Sequence, residues 1–223
     1  MNQIANKRSR LQFITNQWSR RSIAEQVERA CQGGCRWIQL RLKDMEERKW
    51  LETISQVKPI CHHYGAFLII NDHVEMALRG DADGVHLGKE DMSPEKARQI
   101  LGDNRMIGAT ANTLEDIRRL DEKLVDYIGL GPYRFTTTKK ALAPVLGAEG
   151  YRQIIHGMKQ EKITLPVIAV GGIGLEDIGG LIQTGIHGIA VSSAISEHPH
   201  PETLINQVIN QINTEVQDVE NMG

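Results

Sequence analysis

IQLRLK, residues 38–43, reads as a strand whose two faces differ in kind. Ile38, Leu40 and Leu42 share one side and Gln39, Arg41 and Lys43 the other, because successive strand side chains point to opposite faces. That spacing leaves Arg41 and Lys43 roughly 6–7 Å apart, where at an effective dielectric of about 20 two like charges repel by roughly 2–3 kcal/mol. Open solvent would screen most of this cost. An enclosed face would need an anion to offset it.

Working outward, the same kind of short apolar run recurs along the whole chain. LQFIT (11–15), WIQLRL (37–42), FLIIN (67–71), GVHL (84–87), MIGAT (106–110), YIGLG (127–131), PVIAV (166–170) and GIAV (188–191) make eight strand candidates. Helical spacing fills most of the intervals. Ile23, Val27 and Ala30 share a face, as do Ala97, Ile100 and Leu101, and Ile178, Leu181 and Ile182. Ser93, Pro94 and Glu95 in succession predict a helix start, with a cap, a proline in the first turn and an acid near the positive end of the dipole. Eight strands alternating with helices in this length predict a compact (β/α)₈ TIM barrel, α/β in class. A doubly wound open sheet is the alternative, and it usually has fewer strands or a second domain. No shift in composition suggests a linker, so the expected organisation is a single domain over residues 1–223. HPHPE (198–202) reads as an exposed turn before a last helix carrying Leu204, Val208 and Ile212, with a short disordered tail from about residue 216.

Composition narrows the function. The 223 residues are 40% hydrophobic, enough for one well-packed core. A formal net charge of −2 gives no global attraction for nucleic acid or an anionic membrane, and 4% aromatic residues offer few platforms for stacking bases. No apolar run approaches the roughly 20 residues of a membrane span, and the basic N-terminus lacks a signal-peptide core. Cys31, Cys35 and Cys61 form neither an even disulfide set nor a paired metal motif, which points to reduced thiols and a cytoplasmic location. Neither a GxSxG elbow nor a Walker motif is present. The histidines show no metal-ligand pattern, and His86, inside a strand, reads as a core residue satisfied by its neighbours.

The polar clusters fall at or just beyond the C-terminal ends of the candidate strands, the end at which barrel enzymes carry their chemistry. They are Arg41 and Lys43 after the second strand, Asn71 and Asp72 after the third, Asp91 beyond the fourth and Thr110 closing the fifth. A loop of roughly 15 residues follows the sixth strand and carries Thr136, Thr137, Thr138 and Lys139; unstructured loops of that length are usually functional. GGIG (171–174) and SSAI (192–195) follow the last two strands, where barrels commonly bind phosphate. Gly171 and Gly172 would let backbone N–H groups approach an anion, with Ser192 and Ser193 adding donors. Two acids near such a site suit Mg²⁺, which takes one or two carboxylates together with phosphate oxygens and water. The competing assignment for Asp91 is a cap on the helix that follows it.

QLRLK (39–43), LIINDHVEMAL (68–78), ADGVHLGKEDM (82–92), GLGPYRFTTTKK (129–140), VIAVGGI (167–173) and VSSAI (191–195) together resemble the thiamine-phosphate synthase family, in its order and spacing. The resemblance implies a Mg²⁺-dependent barrel transferase of thiamine biosynthesis. Such an enzyme joins a hydroxymethylpyrimidine diphosphate to a thiazole phosphate, releasing pyrophosphate before the thiazole nitrogen attacks. Carried over, Gln39, Arg41, Lys43, Asn71, Thr110 and Lys139 would hold the pyrimidine diphosphate, with Arg41, Lys43, Thr110 and Lys139 acting in catalysis. Asp72 and Asp91 would bind the metal. Thr136, Thr137, Thr138, Gly172, Ser192 and Ser193 would hold the thiazole phosphate. The implied partners are these small molecules, with neither nucleic acid nor membrane involved and homo-oligomerisation left open. Asn112 stands where the family commonly has histidine, Lys89 where glutamine is usual, Thr110 where serine is usual, and TNQW (15–18) and YRF (133–135) are also atypical. Two alternatives are a thiazole tautomerase of the same barrel, which would use a histidine near position 112, and a non-catalytic thiazole-phosphate-binding regulator.

Overall fold

A computed structural model describes residues 9–135 and 144–222. Its strands are β1 (Leu11–Ile14), β2 (Trp37–Leu40), β3 (Phe67–Asn71), β4 (Gly84–Leu87), β5 (Met106–Ala111), β6 (Tyr127–Leu130), β7 (Val167–Val170) and β8 (Gly188–Val191). All pair in parallel in chain order, and β8 closes onto β1 through Leu11 opposite Ile189 and Phe13 opposite Val191. The intervening helices are α1 (Ile23–Gln32), α2 (Glu47–His63), α3 (Val74–Arg79), α4 (Pro94–Leu101), α5 (Leu114–Arg118), α6 (Gly147–Gln160), α7 (Ile178–Ile182), α8 (Ser193–Ser196) and α9 (Pro201–Met222). This is the predicted (β/α)₈ barrel.

Strand alternation divides the apolar residues into two cores. Phe13, Ile38, Leu40, Leu68, Ile70, Val85, Ile107, Ile128 and Ile189 point outward and are buried beneath the helices. Trp37, Phe67, Ile69, Met106, Tyr127, Ile168 and Ala190 form a second cluster inside the barrel. The large rings there need small neighbours. A Cβ on Gly108 would come within 2.1 Å of the Tyr127 ring, so Gly108 makes room for Tyr127. Towards the C-terminal ends of the strands the interior turns polar: Gln39 and Asn71 are buried, and His86 and Thr110 half-buried. The barrel is therefore plugged by apolar side chains at one end and offers hydrogen-bonding groups at the other.

The helix signals hold with two corrections. Ser93 Oγ accepts from the Lys96 N–H at 3.4 Å with Pro94 opening α4, as the sequence predicts. Ile100, however, is 38% exposed, and only Ala97 and Leu101 of that trio are buried, because an eight-residue helix turns a narrow face to the barrel. The expected tail from about 216 is instead the last turns of α9. Val216 continues the stripe of Leu204, Val208 and Ile212 and packs on the same core, which carries the helix onward. No helix among the described residues is long and apolar enough to cross a membrane.

Candidate active site

The opening strand resolves as two differently used faces. β2 ends at Leu40, but the alternation continues: Leu42 is buried in the outer core while Gln39, Arg41 and Lys43 occupy the inward positions. Two side chains from the end of β1 take over where its own ladder stops. Thr15 Oγ1 accepts the Arg41 N–H at 2.9 Å. Gln17 Oε1 accepts the Lys43 N–H, and Gln17 Nε2 donates to the Lys43 carbonyl at 3.2 Å. The main chain of the cationic segment is thus held by hydroxyl and amide groups rather than by a strand. Burial pushes the Arg41 guanidinium below its usual pKa, and the negative charge of Asp72 pulls the other way.

Next to it, Gln39 Nε2 donates to Asn71 Oδ1 at 2.6 Å, which fixes two amides side by side in the mouth of the barrel. Asp72 follows immediately, in the left-handed region with φ 67°. Asp91 reaches back to accept the Gly88 N–H at 2.6 Å, whereas α4 is capped by Ser93; this settles the alternative of Asp91 as that helix's cap. The two acids converge: a Cβ on Gly88 would lie 2.8 Å from Asp91 Oδ2 and 3.9 Å from Asp72 Oδ1. Among the described residues, no three His, Cys, Asp or Glu side chains gather as an all-protein metal cage. A pair of carboxylates completed by substrate oxygens and water is the donor set that Mg²⁺ accepts, so the residues present fit that ion.

Thr110, at the end of β5, is reached from below. His86 Nε2 lies 3.0 Å from Thr110 Oγ1, His86 Nδ1 lies 3.1 Å from the Tyr127 hydroxyl, and Gln12 Nε2 donates to that hydroxyl at 3.3 Å. His86 is satisfied by neighbours, as expected, but those neighbours lead into the site.

On the opposite side of the mouth, Gly171 and Gly172 take φ 101° and 66°, conformations open to glycine. The loop after β6 lies against them. The Tyr133 and Arg134 N–H groups donate to the Val170 and Gly171 carbonyls, each at 2.9 Å. Arg134 also grips Asp177 with two nitrogens, at 2.5 and 2.6 Å, and Tyr133 OH donates to the same carboxylate at 3.2 Å. Asp177 is buried and additionally accepts the Gly174 N–H at 2.8 Å. Ser192 is half-buried and Ser193, opening α8, is exposed, both at the end of the adjacent β8. Thr136, Thr137, Thr138 and Lys139 lie outside the described residues.

The atypical positions have structural duties. Asn112 Nδ2 donates to the Gly131 carbonyl, and the Asn112 N–H goes to Asp116 Oδ2 at 2.9 Å. Lys89 pairs with Asp116 Oδ1 at 2.8 Å. Burial alone would raise the Asp116 carboxyl, but its bonds from Lys89, the Asn112 amide and Thr113 hold it below the usual range. Sequence reasoning missed Thr15 and Gln17 as supports, the Gln12–Tyr127–His86 chain and the Arg134–Asp177 pair. Only Gln12, polar at an inward position of an apolar strand, carried a signal that could have been read.

Cations, carboxylates and a glycine turn gathered at the C-terminal end of a closed parallel barrel mark the face on which barrel enzymes carry their chemistry. Comparison with known proteins narrows this. Residues 11–195 match the family model described as thiamine monophosphate synthase. A thiamine-phosphate synthase of Bacteroides fragilis is 48% identical over 200 residues, covering 90% of this chain and 98% of that protein. One from Flavobacterium johnsoniae is 45% identical over 200 residues, covering 90% and 94%. Among solved structures, a thiamine phosphate pyrophosphorylase from Pyrococcus furiosus superposes with a TM-score of 0.80 at 32% identity, covering 96% of this chain and 98% of that one. The chain belongs to the thiamine monophosphate synthase family.

Proposed function

We propose that this chain is a thiamine-phosphate synthase, joining a hydroxymethylpyrimidine diphosphate to a thiazole phosphate with release of pyrophosphate. The observation that carries this reading is the meeting, beyond the ends of β2, β3 and β4, of Arg41 with the charge of Asp72, and of Asp72 with Asp91 around Gly88. Arg41 and Lys43 bind the diphosphate, whose charge offsets their mutual repulsion. Gln39 and Asn71 complete the pyrimidine diphosphate site together with Thr110 and Lys139. Asp72 and Asp91 hold Mg²⁺, which when bound neutralises charge on the diphosphate as it leaves. Gly172, Ser192, Ser193 and Thr136, Thr137 and Thr138 hold the thiazole phosphate.

The chemistry asked of the protein is modest. The C–O bond to the diphosphate breaks with both electrons leaving on oxygen, and the pyrimidine's own amino group delocalises the positive charge that remains. The thiazole nitrogen then supplies the electron pair for the new C–N bond. Arg41, Lys43 and the hydrogen-bond donors beside them stabilise the departing anion, and the two phosphate sites set the approach of the partners. No general base is required. Asn112, tied to Gly131 and Asp116, is not a proton-shuttling group, which weighs against a tautomerase. The buried, unpaired thiols of Cys31, Cys35 and Cys61 suit a reducing cytoplasm.

The test is formation of thiamine phosphate by purified protein from the two phosphorylated substrates, with Mg²⁺ and then with EDTA. Metal-dependent product is expected. No product from intact substrates would overturn the synthase reading, and product insensitive to EDTA would overturn the metal assignment.

A further inference from the structure

The polar chain beneath Thr110 has a direction, and the direction determines what Thr110 can offer a ligand. Its members come from four strands and meet inside the barrel: Gln12 on β1, Tyr127 on β6, His86 on β4 and Thr110 on β5. Tyr127 is 0% exposed and Gln12 2%, so the phenol cannot turn to water for a partner. Burial also pushes the Tyr127 pKa upward, so the hydroxyl keeps its proton. Gln12 Nε2 sits 3.3 Å from the phenolic oxygen and donates to it. The phenol must then spend its proton on the other neighbour, His86 Nδ1, at 3.1 Å. Accepting there leaves the neutral imidazole proton on Nε2, which faces Thr110 Oγ1 at 3.0 Å. Thr110 Oγ1 is therefore an acceptor towards His86, and its own proton is left for the mouth of the barrel.

We propose that Gln12, Tyr127 and His86 are positioning residues that hold His86 as the Nε2–H tautomer and thereby make Thr110 a hydrogen-bond donor to the leaving diphosphate. This rests on the synthase reading for the identity of the acceptor. The reverse direction, with Thr110 donating to His86 Nε2, would aim hydroxyl lone pairs at a site where Arg41 and Lys43 collect an anion. Gly108 and Gly129 belong to the same device. A Cβ on Gly108 would meet Tyr127 Cζ at 2.1 Å, and one on Gly129 would meet His86 Cε1 at 2.7 Å, so both rings are seated over glycine where either could move only into its neighbours.

Two measurements test this. The first needs no turnover: a long-range ¹H–¹⁵N correlation spectrum of the full chain, with His86 assigned by the signals lost in His86→Gln. A protonated Nε2 and an unprotonated Nδ1 are expected, and the opposite tautomer or an imidazolium would overturn the proposal. The second is a double-mutant cycle on turnover. Tyr127→Phe keeps the ring but frees the tautomer, and it should lower kcat roughly 10-fold or more, the scale of one hydrogen bond to a charged partner. In a Thr110→Ala background the same substitution should change kcat by less than about 2-fold, because the group it orients is gone. An unchanged Tyr127→Phe enzyme, or equal losses in both backgrounds, would reduce the chain to core packing. If the parent protein makes no product while the Nε2–H tautomer is present, the synthase reading fails and the orientation of His86 stands.

Discussion

Asp72 carries two burdens that a pair of substitutions can separate. It is a proposed metal ligand, and its backbone sits at φ 67°, where a side chain is strained and glycine is not. Asp72→Ala and Asp72→Gly both remove the carboxylate, its pull on Arg41 and its repulsion of Asp91, so those effects cancel in the comparison. What remains is backbone. Left-handed geometry costs a residue with a Cβ roughly 1–2 kcal/mol, and glycine's extra unfolded-state freedom costs about 0.5–1 kcal/mol. At the mid-points of these ranges Asp72→Gly is more stable than Asp72→Ala by about 0.75 kcal/mol, or roughly 1.5–3 °C in Tm for a domain of this size. At a position with ordinary φ, the order would be reversed. Thermal unfolding without metal measures this, and an alanine variant that melts above the glycine variant would refute the backbone argument. Turnover should fall at least about 100-fold in both, since a metal's charge stabilisation is worth several kcal/mol. Near-normal rates at ordinary Mg²⁺ in either variant would remove Asp72 from the metal site while leaving the strain argument untouched.

Gln17→Ala deletes both side-chain bonds to the Lys43 main chain and should raise KM for the pyrimidine diphosphate roughly 10-fold, two neutral hydrogen bonds being worth about 0.5–1.5 kcal/mol each. KM for the thiazole phosphate should stay put, and Gln17→Glu, which can still accept from the Lys43 N–H, should fall between; equal loss for both substrates would mean the clamp is only structural. Gly172→Val places a branched side chain at φ 66° with its Cβ 3.0 Å from Arg134 Cβ, and it should weaken thiazole phosphate binding far more than pyrimidine binding. Titration calorimetry with each substrate alone checks this, and parallel losses would show the loop to be misassigned.

The barrel was legible because each strand obeys a simple rule: one face must be apolar for the helices, and eight such runs can be counted. The boundaries slipped where another group replaced the backbone ladder. WIQLRL reads as six strand residues, yet β2 stops at Leu40 because the Thr15 hydroxyl takes the Arg41 N–H that a strand would have given to a carbonyl. The first row of the proposed site, Asn71, Asp72, Asp91 and Thr110, could be read from its place at or beyond strand ends, and Gln39 from the resemblance. Its supports could not. Gln12 meets Tyr127 across 115 residues of sequence and Arg134 meets Asp177 across 43, and no periodicity links such pairs until the barrel closes.

The placement of charge explains why the mouth can exist before substrate arrives. Arg41 and Lys43 on one strand end would repel each other strongly in a half-buried setting, and so would Asp72 and Asp91 around Gly88. The charge of Asp72 acts on Arg41 and offsets part of that cost. A free diphosphate entering alone would gain the cations but face the carboxylates, and a divalent cation alone would meet the reverse. Brought in together, anion and metal satisfy both pairs at once and still leave the site close to neutral. If the proposed roles hold, these four side chains favour a metal–diphosphate pair over either ion singly, a selectivity set by where three consecutive strands end.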